Sequence, residues 1–373
     1  MIRRCCLLFL VLGFQPSHAQ FTALGFADSL LFDASQSYHY GDYQASRPLR
    51  VMAWFQAKPT SRGFLSFGEL LMGTPTLRRV AWDTEQQEAK LTCWRENAFV
   101  HLESGEVLDE AASIRIDQHQ LLLLATEAQP NDWPAAGQYP VVIYHHGSRG
   151  FGAENYQMAE NWAKAGFLVL AADFHLPHPQ WAYGLAEGID SSMASLRCLF
   201  AFAQRLAGKQ AIYFAGHSWG AQQGWRFLAE DAPPIKGFIS LETTLEYKTN
   251  AAEIADKWPY MFETLMHKER KVKVPVLAVA ARTGSLPFPF LSHKTTGWQA
   301  QLGVVPAFAH EAFTSLPFLR LHLPMQPDDQ LLRAQQGLYH DLGKLLLHFL
   351  REPGSAFPEP TDPTQFEIVY RQP

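Results

Sequence analysis

Uninterrupted apolar runs set the plan of this chain. They fall at 140–146 (PVVIYHH), 167–173 (FLVLAAD), 211–216 (AIYFAG), 237–242 (GFISLE) and 274–280 (VPVLAVA), with an earlier run at 49–55 (LRVMAWF). A half-buried strand alternates apolar with polar residues, and the five later runs do not alternate. Strands covered on both faces read this way, as in a parallel sheet. Helical patterns fill the gaps. Residues 152–166 end on Gly166, a residue suited to closing a helix. Residues 191–208 begin with serines able to cap a helix and end on Gly208, and a further helix starts directly at 218–231. Near the C-terminus, 328–350 place Leu331, Leu338, Leu342, Leu345 and Phe349 on one helical face. Strand and helix alternating over about 200 residues predict a βαβ sheet with right-handed crossovers. Residues 57–135 do not fit that rhythm and read as an antiparallel first portion with insertions.

Composition narrows the class without changing the plan. The chain has 373 residues, 47% of them hydrophobic and 18% charged, which describes a globular protein with a large core. Its first residues stand apart: Arg3 and Arg4 precede an apolar run to Phe14, and Ser17-His18-Ala19 forms a small-x-small site. That pattern predicts a signal peptide over 1–19 and a single domain over 20–373 of a secreted or periplasmic protein. The run of about ten apolar residues is too short to span a bilayer, so no stable membrane insertion is expected after cleavage. Cleavage removes two arginines and no acid, so 31 basic and 36 acidic residues become 29 and 36, and the net charge moves from −5 to about −7. No basic run appears, and nucleic acid is not an expected partner. Of four cysteines, Cys93 and Cys198 remain after cleavage; Cys198 lies in a helical pattern that suggests a buried thiol. Whether the two pair, and how many copies associate, is left open by the sequence.

The chemistry concentrates at 215–224, AGHSWGAQQG. Gly216-x-Ser218-x-Gly220 follows a strand-like run and opens a helix, the strand–turn–helix setting of a nucleophilic serine on a sharp elbow. Side chains at the flanking positions would collide with strand and helix. Upstream, the glycine-rich stretch YHHGSRGFG (144–152) leaves the 140–146 strand, where backbone N–H groups can face an acyl oxygen; a second donor would be the N–H of Trp219. An acid is needed next. Residues 270–309 contain no Asp or Glu, so the turn after the 274–280 run, expected to be the strand before the histidine segment, supplies none. Glu242 closes the preceding run and becomes the candidate. For the base, His310 in GVVPAFAHEAF follows an apolar stretch and precedes a loop, with His293 as the fallback. The order Ser218, Glu242, His310 lets an imidazole take the serine proton while a carboxylate fixes its tautomer.

These motifs together resemble the platelet-activating-factor acetylhydrolase and dienelactone hydrolase-like branch of the α/β-hydrolases over about 47–320. RPLRVMAWFQA is similar to the branch's opening strand, YPVVIYHHGSRGFGAENYQMAENWAKAGFLVLAADF to its strand, His-Gly loop, helix and strand, and FAGHSWGA to its elbow. ISLETT places Glu242, and FAHEAF places His310, where that branch carries its acid and histidine. The resemblance implies an α/β-hydrolase fold: a mostly parallel central sheet with helices on both faces, an antiparallel N-terminal portion and a helical insertion after the acid strand. It also implies oxyanion donors at Ser148 and Trp219. The implied activity is hydrolysis of carboxylic esters through an acyl-enzyme, without a cofactor, on short acyl esters or acetylhydrolase-like lipids. Glu in place of Asp, Ala221 in place of a second glycine, and the long 243–273 stretch, a lid candidate, depart from the pattern.

Other readings stay open at this stage. The chain can be a dienelactone or polyester hydrolase, or a binding protein that kept the fold without turnover, which the unusual acid favours. A zinc site at His145, His146, His175 and His178 is a further alternative, against which the cluster lacks a spaced carboxylate or His-x-x-x-His pair.

Overall fold

The computed structural model describes residues 23–40, 43–73, 90–91, 94, 118–148, 150–174, 189–242, 255–256, 259, 263, 272–281, 297–304, 308, 310–322, 329–358 and 364–371. Ten strands form one sheet: β1 (Ala23–Tyr40), β2 (Tyr43–Ala57), β3 (Ala128–Pro130), β4 (Val141–His145), β5 (Leu168–Ala172), β6 (Ile212–His217), β7 (Phe238–Leu241), β8 (Val276–Ala281), β9 (Gln299–Val304) and β10 (Phe366–Arg371). Their order across the sheet is β10-β9-β8-β7-β6-β4-β5-β2-β1-β3. The middle of that order, β5 through β9, is parallel throughout. β1 and β2 pair antiparallel, the antiparallel N-terminal portion that the resemblance implied, but they precede the 57–135 stretch read as antiparallel, where the short β3 pairs parallel with β1; β2 runs antiparallel to β5.

Each expected strand is present with ends moved by one to six residues, and four strands were not foreseen: β1, β3, β9 and β10. One of these changes the reading of the site. The strand immediately before His310 is β9, not the 274–280 run that became β8. The sequence QAQLGV hides β9 because Gln299 and Gln301 give a polar alternation, yet both side chains are buried.

Seven helices accompany the strands among the described residues: α1 (Phe67–Met72), α2 (Gln118–Leu122), α3 (Tyr156–Lys164), α4 (Ile189–Ala207), α5 (Trp219–Asp231), α6 (Leu316–Leu321) and α7 (Asp329–Arg351). They split between two apolar layers. Val142, Tyr144, Ile239 and Leu241 face one layer with Trp162 of α3 and Leu342 and Phe349 of α7. Val141, Ile143, Phe214 and Phe238 face the other with Leu196 and Leu199 of α4 and Trp225 of α5. Neighbouring residues of one strand point to opposite layers, so both sides demand apolar residues and the alternation disappears. On α7, Leu338, Leu342, Leu345 and Phe349 are buried as expected, but Leu331, in the first turn, is 39% exposed. Cys198 is half-buried rather than buried, and burial raises its thiol pKa; Cys93 lies outside the described residues.

A buried polar network joins the antiparallel portion to the parallel strands. Arg50 of β2 donates to the carbonyls of Leu70 and Leu71 at 2.9 Å and pairs with Asp28 at 3.0 Å and Asp173 at 3.4 Å. Asp173 also accepts Lys90 at 2.5 Å and the Gly152 N–H at 2.9 Å. Desolvation and the neighbouring Arg50 lower the Lys90 pKa to about 8, against the pull of Asp173. Removing one member of such a set strands buried charge, which costs about 3–5 kcal/mol. The network therefore holds α1, whose start is fixed by a capping box between Ser66 and Glu69, against the sheet.

The apolar layer under α3 contains one carboxyl group whose state depends on pH. Burial pushes the Glu160 pKa up to about 7, although its Oε1 accepts the Glu127 N–H at 3.0 Å. The folded value lies above that of an unfolded chain, so the folded protein holds the extra proton between about pH 4.5 and 7 and loses stability as pH rises through that window. Glu160→Gln mimics the protonated form. In urea unfolding it is expected to raise stability by about 1–3 kcal/mol above pH 7 and to change little below about pH 4.5.

Candidate active site

The C-terminal ends of β4 and β6 open on one depression, and the end of β7 lies beside β6. At the end of β6 the chain turns through Ser218, whose φ is 51° and ψ −114°, and enters α5. A side chain other than glycine's at such angles carries about 1–3 kcal/mol of strain and persists only where its surroundings enforce it. Here the Ser218 N–H donates to the Leu241 carbonyl of β7 at 2.8 Å, and the Ser218 carbonyl accepts from Gln222 at 3.1 Å. The glycines of the motif explain the sharpness of the turn. A Cβ on Gly220 would sit 2.1 Å from the His145 carbonyl oxygen, and one on Gly216 would sit 2.5 Å from the Gly220 main chain. Strand, turn and helix pack backbone on backbone, and no larger residue fits.

Glu242 ends β7 with φ 47°, its N–H bonded to the Val279 carbonyl at 2.7 Å. Its side chain is buried. Oε2 accepts the Ala281 N–H at 2.5 Å, while Oε1 lies 3.8 Å from Nδ1 of His310. His310 opens a 3-10 turn, His310–Phe313, after β9, and its side chain is 20% exposed. At 3.8 Å the pair is a near-contact of opposite groups rather than a formed hydrogen bond; such bonds in hydrolytic sites commonly tighten only around substrate. Ser218 and His310 line the same cavity of about 90 Å³. The three residues singled out by the sequence are therefore brought to one place.

Ser148 is exposed on the loop after β4 and lines that cavity, and Trp219 is the first residue of α5, where main-chain N–H groups point out of the helix end. In the same loop the Gly147 N–H is already engaged by a carboxylate, Oε1 of Glu154, at 2.9 Å. Glu154 also accepts Tyr144 Oη at 2.8 Å and lies 3.4 Å from Nδ1 of His217. His217 Nε2 reaches the His310 carbonyl at 3.1 Å. Burial works to raise the Glu154 pKa, but the His217 ring, His146 and the Gly147 N–H outweigh it and hold the carboxyl below its ordinary value. Sequence reading missed both residues. His217 stands inside the quoted elbow motif, and Glu154 sits in the stretch taken only as a helix start, where nothing marks it as lining the cavity.

The remaining histidines have structural partners. His146 accepts the Phe174 N–H at Nε2 (3.1 Å), so its Nδ1 carries the proton and donates to the Gly147 carbonyl at 2.7 Å. His145 stacks on Phe174 with ring centres 3.7 Å apart and meets the His146 carbonyl at 2.9 Å. Burial lowers the pKa of both rings. No group of three metal-ligating side chains occurs among the described residues, and His175, His178 and His293 lie outside them. So does most of the 243–273 stretch, the lid candidate. Residues of the 57–135 portion do shape the cavity: Phe67, Leu71 and Trp94 line it together with Phe151, Leu316 and Leu319.

Comparison with known proteins matches this arrangement to a family. A family model described as the alpha/beta hydrolase fold matches residues 140–353. That span exceeds half of the chain, and the chain belongs to the α/β-hydrolase fold family. Among solved structures it is similar to a ferulic acid esterase from Streptomyces cinnamoneus, at 19% identity and a TM-score of 0.58, covering 95% of this chain and 98% of that one. It is also similar to Est1E from Butyrivibrio proteoclasticus with ferulic acid bound, at 18% identity and a TM-score of 0.38 over 56% of this chain and 90% of that one. An esterase of Pyrococcus furiosus matches at 16% identity and a TM-score of 0.39, over 59% and 84% of the two chains. A comparison with curated protein sequences gave no match. No described helix is long and apolar enough to cross a membrane.

The close packing at the elbow gives a test of the fold that needs no substrate. Gly220→Ala forces a Cβ onto the His145 carbonyl and should cost at least about 1–3 kcal/mol in urea unfolding, the range for an overpacked interior. Ala221→Gly, one position on, carries no such clash and should cost no more than about 1 kcal/mol, the helix-propensity difference.

Proposed function

We propose that this protein hydrolyses carboxylic esters by nucleophilic catalysis at Ser218. The observation that carries the proposal is the strained φ of Ser218 on a backbone-packed elbow, in one cavity with His310 and within reach of a buried Glu242. His310 would take the Ser218 proton as Oγ attacks the acyl carbon, and Glu242 would hold its Nδ1–H and steady the imidazolium. The developing oxyanion would accept from the main-chain N–H groups of Ser148 and Trp219. His310 then returns the proton to the leaving alcohol, and water repeats the sequence to free the acid. No cofactor enters these steps.

The cavity supports a compact acyl group. Its apolar lining is half aromatic, from Phe67, Trp94 and Phe151, with the polar side chains of Glu154, His217, Glu311 and Thr314 beside it. Short acyl or small aromatic acyl esters fit that chemistry, and the likeness in fold to a ferulic acid esterase is in keeping with it. The placement of the acid supports a place near the acetylhydrolase branch: Glu242 follows β7, the strand beside that of the nucleophile. The first 19 residues support export, with the mature chain acting outside the cytoplasm.

Hydrolysis of p-nitrophenyl esters of increasing acyl length tests the reading directly. Wild type is expected to favour acetate and butyrate over longer chains and to be labelled by a fluorophosphonate. Ser218→Ala should abolish labelling and lower kcat at least about 10³-fold, His310→Ala comparably, and Glu242→Ala by about 10²–10⁴-fold. Full activity in Ser218→Ala would sink the proposal, and full activity in Glu242→Ala would remove that residue from the triad.

A further inference from the structure

A second acid–imidazole pair, Glu154 and His217, lies beside the proposed triad and lines the same cavity as Ser218. His217 immediately precedes Ser218. Its ring sits between two acceptors, the Glu154 carboxylate 3.4 Å from Nδ1 and the His310 carbonyl 3.1 Å from Nε2. A carbonyl only accepts, so Nε2 is the donor. Nδ1 approaches the Glu154 carboxylate without a formed hydrogen bond. The rings of His217 and His310 lie 5.0 Å apart, so this link ends on the backbone of the residue that must reach Ser218.

Glu154 ties the other end to the oxyanion loop. Its Oε1 takes the Gly147 N–H, and Oε2 packs so closely on Gly150 that a Cβ there would come within 2.0 Å. Asn155, next in sequence, donates to the Phe313 carbonyl at 3.0 Å, and the Glu154 carbonyl accepts the Ser315 N–H at 3.0 Å. Three bonds from 154–155 and His217 thus hold the segment 310–315 by its main chain. We propose that Glu154 and His217 form a positioning clamp that sets the distance between the oxyanion loop and His310, acting through the backbone without exchanging a proton with substrate. The clamp rests on the esterase reading for its effect on rate, but not for its effect on structure.

Substitution separates the two. His217→Ala removes the donor to the His310 carbonyl, whereas His217→Gln keeps an N–H at the position of Nε2. His217→Ala is expected to lower kcat for p-nitrophenyl acetate about 30–100-fold, as a misplacement of about 1 Å does, with KM changed less than about threefold. His217→Gln should recover at least about tenfold of that loss, and Glu154→Gln, which keeps an acceptor for Gly147, should fall in between. Hydrogen exchange of the 310–315 amides reads the clamp without turnover. It should quicken about tenfold in His217→Ala and return near wild type in His217→Gln. An inactive wild type with that exchange pattern refutes the esterase reading and keeps the clamp. Unchanged exchange and kcat in His217→Ala, or a His217→Gln no better than His217→Ala, overturns the clamp.

Discussion

The site depends on how closely α5 approaches the end of β4. Gly220 rests against the carbonyl oxygens of His145 and His146, at distances where a methyl group would stand 2.1 and 2.6 Å away. That contact has no side-chain substitute, because the atoms in the way are backbone and cannot move without breaking β4 from β6. It presses the first turn of the helix under the loop that follows β4 and lifts Ser218 out of the sheet with a left-handed φ. The strain at Ser218 is offset by the rigid parallel strands around it: β6 is paired along both edges, and the Ser218 N–H closes onto β7. A looser sheet would let the elbow relax into an ordinary helix start. The buried apolar layers on both faces therefore matter to the chemistry as much as to stability.

Polar groups, not apolar contacts, then align what surrounds the elbow. On one side the Arg50–Asp28–Asp173–Lys90 set fixes α1 and, through the Gly152 N–H, the far end of the loop after β4. On the other side Tyr339 of α7 donates to Asn155, which bonds the Phe313 carbonyl, while Arg320 pairs with Glu311 at 3.1 Å. These buried bonds are directional, whereas hydrophobic burial is not. Residues 150–157 receive both sets, and that short stretch relates the loop with Ser148 to the turn with His310. A cavity with apolar walls can tolerate some repacking, but a carboxylate such as Glu154, held by the Tyr144 hydroxyl and the Gly147 N–H, has one satisfied position.

The central strands were legible because burial on both faces leaves a plain signal, and Gly216-x-Ser218-x-Gly220 was legible because glycine at close approach has no alternative. The strands that escaped reading carry weaker patterns. β1 spans 18 residues of mixed character that pair with β2 through a bulge between Asp33 and Ser37. β9 buries two glutamines and β10 is an edge strand, covered on one side only. Glu242 could be singled out by order and elimination, and His310 by its setting after an apolar stretch, with His293 as the fallback. Glu154 could not. Its place in the cavity arises from Tyr144, Gly147 and His217, which lie close in space and apart in sequence, and a single chain of letters holds no record of that meeting. The aromatic wall was hidden for the same reason, since Phe67 and Trp94 belong to the stretch whose local pattern is least regular.

The position of Glu242, the proposed acid, follows from the same geometry. Nothing between 270 and 309 can ionise to a carboxylate, so the end of β8 offers only main chain. That main chain is used: the Ala281 N–H, at the last residue of β8, donates to Oε2 of Glu242. The strand lacking an acid thus orients the acid of its neighbour and leaves Oε1 toward His310. A carboxylate one strand farther from His310 must reach farther, and glutamate is longer than aspartate by one methylene. Its left-handed φ turns the side chain back across the strand ends instead of along β7. Length, backbone twist and a borrowed N–H act together here, so shortening Glu242 to aspartate would leave the Ala281 donor and the His310 ring without a common partner.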